Sequence, residues 1–369
     1  MTASSKKGQR LNAPDARIGD VLVTWYQKNK RSLPWRQRFL ESGDPYVIWI
    51  SEIMLQQTTI QAVLPAYERF LGVFPQLKNL AAATEDEVRL ACRGLGYYRR
   101  FRLMHEAAQV LAAREPFHWP RTYKEWRELP GIGDYTAAAI SSIAFGEAKA
   151  VVDGNVERVF CRLLDRRVVP DQKLKKEFQA MGDSMIPASA PADYNQGVME
   201  LGQTICIKQN PRCAICPVQD FCAAFKNGSQ NLAPAPKKPM EYEEVRMHLW
   251  LLLQNGKIGL VQRSKDARFL GGTLGLPTAW EKDGELRWEQ AGRWDFQTEA
   301  FGSIKHGITK HRIQAFVHRK DWKGNSPAMT WVPLEEAETQ LVSNLDRKAL
   351  HLFLKLEAKP TLFDDQSFL

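Results

Sequence analysis

Four cysteines in one short segment of this chain are of the right type and spacing to bind a metal centre. Cys206, Cys213, Cys216 and Cys222 follow the pattern C-x6-C-x2-C-x5-C, with no histidine between them. Thiolate sulfur selects iron–sulfur clusters or zinc, and four thiolates also suit tetrahedral zinc. The spacing therefore predicts one metal centre, a cluster or a zinc ion, rather than four unrelated buried thiols.

Two carboxylates upstream of the cysteines have the properties of an acid and an electrostatic stabiliser. Glu52 stands among apolar residues in the segment 49–57, and burial there would raise its pKa until it holds a proton near neutrality. The alternative is an exposed glutamate on the polar side of a helix. Asp153 precedes a predicted helix at 156–164, where the helix N-terminus and backbone amides would keep it ionised. The alternative for Asp153 is a purely structural N-cap.

Two further segments combine residues that suit contact with phosphates. Residues 129–136 contain Gly131 and Gly133 between two helical stretches, so backbone amides and a helix N-terminus can approach an anion. This pattern is typical of a helix-hairpin-helix clamp that grips one strand without reading sequence, although a plain helix connection gives it too. Residues 94–102 hold two tyrosines and three arginines. Arginines meet phosphates and aromatic rings replace a stacked base, unless these tyrosines pack into the core.

Length and composition are consistent with a nucleic-acid-binding protein of two domains. The chain has 369 residues, 44% of them hydrophobic, and a formal net charge of +9. Excess positive charge favours a polyanionic partner. No apolar run reaches the length that spans a bilayer, and the basic start shows no apolar core of a secretory signal. Six cysteines, four of them clustered, suit a reducing compartment. We expect a cytoplasmic protein without membrane association, which would be nucleoid-associated if the organism is a bacterium.

The elements that would position these residues change in character once along the chain. Residues 16–228 are predicted to be mainly α, with Asp44 and Pro45 opening one helix and a capping box of Thr84 and Glu87 opening another. Residues 229–243 form a linker that is stiffened by prolines and solvated by lysines. The N-terminal residues 1–15 and the C-terminal residues 358–369 are expected to be flexible tails.

Residues 244–357 are predicted to form an α+β domain. Strands at 246–253 and 257–262 flank Asn255-Gly256, which favours a type I′ hairpin. Residues 312–318 alternate as another strand. Residues 333–341 and 345–355 are predicted helices.

Taken together, these motifs resemble a known family. The segments 49–58, 94–98, 129–136, 152–155 and the four-cysteine loop, in this order and spacing, resemble the endonuclease III superfamily of helix-hairpin-helix DNA glycosylases. Within that superfamily the chain is similar to the MutY-type adenine DNA glycosylases over almost its whole length. The resemblance implies a [4Fe–4S] cluster on the four cysteines. It also implies that a monomer removes adenine mispaired with 8-oxoguanine or guanine from double-stranded DNA.

One position separates this chain from the strand-cutting relatives that it resembles. Those relatives carry a lysine two residues after the second hairpin glycine, and its amine forms a Schiff base with the sugar. Here that position is Tyr135, and a phenol cannot form an imine. The chain is therefore expected to be a monofunctional glycosylase.

The resemblance assigns roles to individual residues. Glu52 would protonate adenine at N7, and Asp153 would stabilise an oxocarbenium-like sugar, as in glycoside hydrolysis. Tyr135 and Asn155 would support the reacting sugar. The base must first leave the duplex.

The resemblance also assigns residues to the DNA gap. Gln57 and Tyr97 match family positions that wedge into the gap and probe the opposite strand. We expect Tyr97, rather than the adjacent Tyr98, to take this role.

The C-terminal domain resembles the Nudix-related recognition domain of the same family. Residues 260–263 and 271–277 carry the resemblance, but the glutamate-rich run that holds Mg²⁺ in Nudix hydrolases is missing, so no hydrolase activity is expected. The family's 8-oxoguanine loop commonly contains Phe-Ser-His. Here Thr309, Lys310 and His311 are the recognition candidates, with Lys310 where the histidine is expected. The alternative is a plain loop before the strand at 312–318.

Two other functions fit part of the pattern. A pyrimidine-lesion glycosylase with lyase activity is disfavoured by Tyr135 and by the C-terminal domain. A non-catalytic DNA-binding iron–sulfur protein is disfavoured by the retained Glu52 and Asp153. The last four residues, 366–369, also match weakly a sliding-clamp-binding tail.

Overall fold

The computed structural model describes residues 15–236, 238–292, 294–296, 298–324 and 328–357. Nearly all of both predicted tails, including the residues considered for a clamp, lie outside this part of the chain. By backbone proximity the chain divides into two compact units. The first comprises Met1–Ala83 and Arg99–Lys238, and the second comprises Thr84–Tyr98 and Pro239–Leu369. The sequence places residues 84–98 within the helical domain, whereas the proximity of backbone atoms groups them with the C-terminal unit.

The first unit is built of helices, as the sequence predicts. Helices α1 to α5 are Arg17–Asn29, Pro34–Ser42, Pro45–Leu55, Ile60–Val73 and Leu77–Ala82. Helix α6, Glu85–Ala91, belongs to the second unit, and α7 to α13 are Arg99–Ala112, Tyr123–Arg127, Asp134–Phe145, Gly154–Leu163, Gln172–Met185, Pro191–Thr204 and Ala223–Lys226. In the described part of the chain, no helix is both long enough and apolar enough to cross a lipid bilayer.

Two helices begin at the caps that the sequence predicts, and one of them, α3, carries Glu52. The Asp44 side chain accepts a hydrogen bond from the Tyr46 amide at 3.0 Å, with Pro45 in the first helical position of α3. Helix α3 is apolar on nearly every side and is buried along most of its length, so its one glutamate is carried inside. The capping box of Thr84 and Glu87 is confirmed at the start of α6.

The second unit is an α+β domain, which confirms the predicted class. Its strands β1 to β8 are Glu243–Gln254, Lys257–Gln262, Leu274–Gly275, Thr278–Lys282, Glu285–Trp288, Ala300–Ile308, His311–Asp321 and Met329–Pro333. Strand β1 pairs in parallel with β7 along one edge, and antiparallel with β2 and β4 along the other. Asn255 and Gly256 both have positive φ, as the predicted type I′ turn requires.

One helix of the second unit was predicted correctly and one was not. Helix α15 spans Asn344–Glu357 and packs its apolar side against one face of the sheet. The predicted helix at 333–341 is wrong in extent: Pro333 ends β8, a short 3₁₀ turn follows, and only Ala337–Gln340, α14, is α-helical. Pro333, the first residue of the predicted helix, instead pairs with Lys257 of β2. Strand pairing between distant parts of the chain therefore outweighs the local preference for a helix at this position.

Candidate active site and cysteine cluster

Glu52 lies buried in the middle of α3. Only 5% of its surface is exposed, so the alternative of a solvent-facing glutamate is wrong. Its Oε2 accepts a hydrogen bond from the Tyr135 hydroxyl at 2.9 Å. Burial raises the pKa of Glu52 to about 7; the Asp153 charge adds to the rise, while the Tyr135 hydrogen bond and Arg36 oppose it. A carboxyl with this pKa can carry a transferable proton at neutral pH.

Tyr135, in the first turn of α9, is the immediate partner of Glu52. Its hydroxyl also lies 3.1 Å from the sulfur of Met199 on α12. Burial, reinforced by the charges of Glu52 and Asp153, raises the pKa of Tyr135 well above its ordinary value. The phenol therefore stays protonated and serves as a hydrogen-bond donor.

Asp153 is the N-cap of α10. Its Oδ1 accepts hydrogen bonds from the Asn155 and Val156 amides at 2.9 and 2.8 Å, and its Oδ2 accepts one from the Asn155 side-chain amide at 2.9 Å. The structural cap is thus present, and the same carboxylate acts electrostatically on both Glu52 and Tyr135. The structure brings together all four residues that the sequence nominated for catalysis.

The four cysteines lie in the loop after α12 and line one cavity. Cys206, Cys213, Cys216 and Cys222 share this lining with Arg162, among other residues. The guanidinium of Arg162 is 3% exposed and donates to the Cys206 sulfur at 3.2 Å. A buried cation against sulfur fits a centre held by anionic thiolates. Among the described residues, no three histidine, cysteine or acidic side chains are grouped as a site for a single metal ion.

A contact that the sequence did not reveal joins the loop to the candidate catalytic residues. Arg158 of α10 donates to the Asn155 side-chain oxygen at 3.1 Å and to the Cys206 carbonyl at 2.8 Å. Arg158 follows Asn155 by three residues, about one helical turn, and this spacing in the sequence could have indicated the contact between their side chains. No signal pointed to Met199. The other two cysteines, Cys92 and Cys161, are buried, as expected of small core residues.

The hairpin between α8 and α9 has the predicted glycines at its turn. Gly131 has φ +74°, and a Cβ atom there would lie 2.6 Å from the Leu103 Cβ. Position 131 therefore requires a glycine, because its backbone has positive φ and there is no room for a Cβ atom. Gly133 is the N-cap of α9, and nothing lies within 4 Å of the place where its Cβ would be. Space is therefore open beside Gly133 at the N-terminal end of α9, where the first helical residue is the acidic Asp134.

The candidates for the DNA gap are both strained and exposed. Gln57 in the first unit has φ 55°, and Tyr97 in the second has φ 49°. Such left-handed backbone in a residue other than glycine is uncommon and often marks a functional position. Tyr97 is 54% exposed. Tyr98 is only partly exposed, and its hydroxyl donates to the Val342 carbonyl at 2.7 Å. Tyr97 is therefore the more accessible of the two adjacent tyrosines, which favours it over Tyr98 as the candidate for the DNA gap.

The recognition candidates of the second unit form the turn between β6 and β7. Ile308 pairs with His311, so Thr309 and Lys310 are the two turn residues, and Thr309 has φ 54°. A β-branched residue in this conformation is a genuine outlier. His311 Nε2 lies 3.2 Å and Lys310 Nζ lies 3.7 Å from Glu243. Arg268 also pairs with Glu243, so one carboxylate faces three basic side chains.

Comparisons with known proteins place this site in a class. A family model for the "HhH-GPD superfamily base excision DNA repair protein" matches residues 50–182, and one for the "iron-sulfur binding domain of endonuclease III" matches residues 206–222. A solved thermostable thymine-DNA glycosylase is 27% identical with a TM-score of 0.51, covering 57% of this chain and 96% of that one. These matches confirm the helix-hairpin-helix glycosylase fold and an iron–sulfur centre on the cysteine loop.

Adenine DNA glycosylases are similar to a larger share of the chain. The protein of Homo sapiens is 31% identical over 399 residues, which cover 90% of this chain and 73% of the human one. That of Mus musculus is 40% identical over 225 residues, which cover 59% of this chain and 44% of the mouse one. The chain belongs to the adenine DNA glycosylase family.

Proposed function

We propose that this chain excises adenine mispaired with 8-oxoguanine or guanine in double-stranded DNA and leaves an abasic site. The observation that carries the proposal is the pair of carboxyl groups around Tyr135. One is buried with a pKa raised to about 7, and the other is fixed by three hydrogen bonds at a helix N-terminus. Two carboxyl groups in such different environments are the arrangement that assigns an acid and a stabiliser.

Glu52 supplies the proton in this proposal. Adenine leaves poorly as an anion, so protonation at N7 converts it into a neutral leaving group. With a pKa of about 7, the carboxyl is protonated in a large share of molecules at neutral pH, because burial opposes its charge. Tyr135 donates to one oxygen of the carboxyl, which fixes the orientation of Glu52 without removing its proton.

Asp153 faces the positive charge that develops on the sugar as the bond to the base breaks. Its carboxylate needs no reorganisation at that moment because amides of α10 already hold it. Asn155 contributes one of those amides and its side chain. Water then attacks the sugar and completes the hydrolysis.

No strand cleavage is proposed. The residue beside the sugar is the phenol of Tyr135, which forms no Schiff base, so a covalent adduct that borohydride can trap is not expected. Product strands should break only after alkali treatment.

The iron–sulfur centre is proposed to be a [4Fe–4S] cluster with Cys206, Cys213, Cys216 and Cys222 as ligands. Support comes from the four thiols that line one cavity beside the Arg162 guanidinium. When bound, such a centre ties its loop to the protein through four metal–sulfur bonds. Arg158 and Arg162 hold the same loop through its carbonyls. Iron and acid-labile sulfide analysis, with electron paramagnetic resonance after oxidation, tests the cluster type.

Recognition of the mispair is proposed to involve both units. In the first, Gln57 enters the gap and the hairpin of Gly131 and Gly133 holds a phosphate. In the second, Tyr97 probes the opposite strand and the turn of Thr309, Lys310 and His311 contacts 8-oxoguanine. We propose further that the protein acts on DNA as a monomer in the cytoplasm. Its proposed domains are residues 16–228 and 244–357, joined by a linker at 229–243.

A single-turnover assay tests the function directly. Duplexes that carry adenine opposite 8-oxoguanine, guanine or thymine are incubated with excess protein, and products are resolved with and without alkali. We expect release of adenine opposite 8-oxoguanine and guanine, faster than opposite thymine, with strand breaks only after alkali. Equal rates on all three duplexes contradict mispair recognition. Binding without base release contradicts the enzyme altogether.

A further inference from the structure

The loop that presents Gln57 is anchored on both sides of an exposed residue. It joins α3, which ends at Leu55, to α4, which begins at Ile60. Gln57 is exposed with φ 55°. Its neighbours are held inward: the Gln56 side-chain amide donates to the Thr136 hydroxyl at 3.1 Å, and Thr58 is partly buried.

The strongest anchor is Arg100, in the first turn of α7. This arginine is 4% exposed. Its guanidinium donates to the Met54 carbonyl at 3.0 Å and to the Thr58 hydroxyl at 2.8 Å, and it contacts the Gln56 carbonyl closely. The sequence suggested that the arginines of residues 94–102 meet phosphates. For Arg100 this is wrong, because burial directs it to the protein's own carbonyls.

These contacts serve two purposes at once. The last carbonyls of a helix have no partner within the helix, and Arg100 satisfies two of them at the end of α3. The planar guanidinium presents several N–H groups in a fixed fork, which a lysine ammonium does not reproduce. The fork therefore fixes residues before and after Gln57 relative to each other. A left-handed backbone in a residue other than glycine costs about 1–3 kcal/mol and persists only where its surroundings impose it.

We propose that Arg100 is a positioning residue that imposes the left-handed, outward conformation of Gln57 and so sets how well this side chain enters the DNA gap. The proposal rests on the gap-filling role proposed above for Gln57. Arg100 itself touches no DNA in this proposal. It acts through the backbone of residues 54–58.

The first test needs no substrate. Amide hydrogen exchange of residues 56–59 is compared in the free wild-type protein, in Arg100→Lys and in Arg38→Lys. Arg38 is a matched control, since it carries the same guanidinium in an exposed ion pair with Glu68 at 2.6 Å. We expect exchange about tenfold faster in Arg100→Lys, because one or more hydrogen bonds worth about 1 kcal/mol each are lost, and unchanged exchange in Arg38→Lys. Equal protection in all three proteins overturns the anchoring.

The second test asks whether Arg100 acts through Gln57. Single-turnover release of adenine opposite 8-oxoguanine is measured for Arg100→Lys, Gln57→Ala and the double variant. We expect each single variant to be about 10- to 100-fold slower, since a misplacement of about 1 Å can cost that much, and the double variant to match Gln57→Ala within about twofold. Losses that multiply in the double variant overturn the proposal. If the wild-type protein itself releases no adenine, the proposed function fails instead. The hydrogen-exchange result then still tests the anchoring by Arg100 independently.

If Arg100→Lys does not fold, Thr58→Val provides a milder change. It removes the hydroxyl acceptor and keeps the side-chain shape. We expect amide exchange to be faster and release of adenine to be slower, each by about threefold, as for the loss of one hydrogen bond. No change in either measurement overturns the proposal.

Discussion

Two buried glutamates of the first unit show how one residue type is prepared for opposite tasks. Glu52 on α3 and Glu200 on α12 are 5% and 2% exposed. Burial raises the pKa of Glu52 to about 7. Burial would raise that of Glu200 as well, but Arg36 and Arg31 outweigh it and lower the pKa below its ordinary value. Glu200 meets them at 2.8 and 2.9 Å.

The difference lies in the partner and not in the depth of burial. Glu200 has two guanidinium groups and a backbone amide around it, so it is a structural anion. Glu52 is hydrogen-bonded to a neutral phenol and lies near the carboxylate of Asp153, and the charge of Arg36 is the smallest of the influences on its pKa. A cation next to Glu52 would remove its proton at neutral pH, whereas a neutral donor orients the group and leaves the proton on it.

Glu52→Gln should show the largest effect. We expect single-turnover release of adenine to fall by about 10²–10⁴-fold, the range of general acid catalysis, while the protein stays folded. A buried carboxyl with a raised pKa makes the fold less stable as pH rises from the ordinary pKa of 4.5 to the folded pKa of about 7, and the loss is constant above that. The variant should therefore match wild type near pH 4, gain stability over it between pH 4 and 7, and keep that advantage at pH 8, by thermal denaturation. Retention of full activity would remove Glu52 from the proposed role.

Glu200→Gln should have the reverse profile. Removal of the carboxylate leaves Arg36, which is 15% exposed in its side chain, without its ion-pair partner. We expect a loss of about 3 kcal/mol in the free energy of unfolding, measured by urea denaturation, with activity per folded molecule close to that of wild type. An inactive but stable variant would contradict the purely structural role that we assign to Glu200.

The pH profile of the wild-type enzyme should separate the two glutamates again. The acid works only when protonated, so the single-turnover rate should be level below the pKa of Glu52, about 7, and fall about tenfold per pH unit well above it. Glu200 has a lowered pKa and should add no inflection there. A flat profile between pH 6 and 9 would mean that proton donation by Glu52 does not limit the rate.

A third glutamate extends the comparison to the surface and should give the smallest effect. Glu243 faces Arg268, Lys310 and His311, so it competes with DNA phosphates for them. We expect Glu243→Gln to bind duplex DNA about threefold more tightly at low salt, and less so at high salt, measured by fluorescence anisotropy. Glu244→Gln is the control, because Glu244 is the neighbouring carboxylate and is paired with Arg312 at 3.7 Å, whereas His311 lies 3.2 Å from Glu243. Equal affinities of the two variants would mean that Glu243 is no competitor.

Local rules predicted the parts of the fold that depend on neighbours in sequence. The caps at Asp44, Thr84 and Asp153 and the turn at Asn255 are governed by contacts within a few residues, and all four are present. The start of the helix predicted at 333–341 was wrong because Pro333 is the last residue of β8, which pairs with β2 more than 70 residues earlier in the chain. The grouping of residues 84–98 with the C-terminal unit is likewise long-range.

The candidate site, like the fold, has some features that the sequence predicted and others that it did not. Residue types and their surroundings were enough to nominate Glu52 and Asp153, whereas Tyr135 and Asn155 were nominated by the family resemblance. Neither pattern nor composition could say that Glu52 is buried, since the position had an equally ordinary exposed alternative. The inward direction of Arg100 was also invisible, because a buried arginine depends on carbonyls 44 and 46 residues away.

The capping of α10 by Asp153 gives one carboxylate that we propose to be catalytic a second role, in the stability of the fold. Its oxygens close the first turn of the helix that also carries Arg158 towards the cysteine loop. Random mutagenesis should therefore yield two kinds of inactive protein: soluble, intact chains altered at position 52, and poorly expressed or cluster-deficient chains altered at position 153. The abundance of each variant in cells, rather than its activity, would tell the two positions apart.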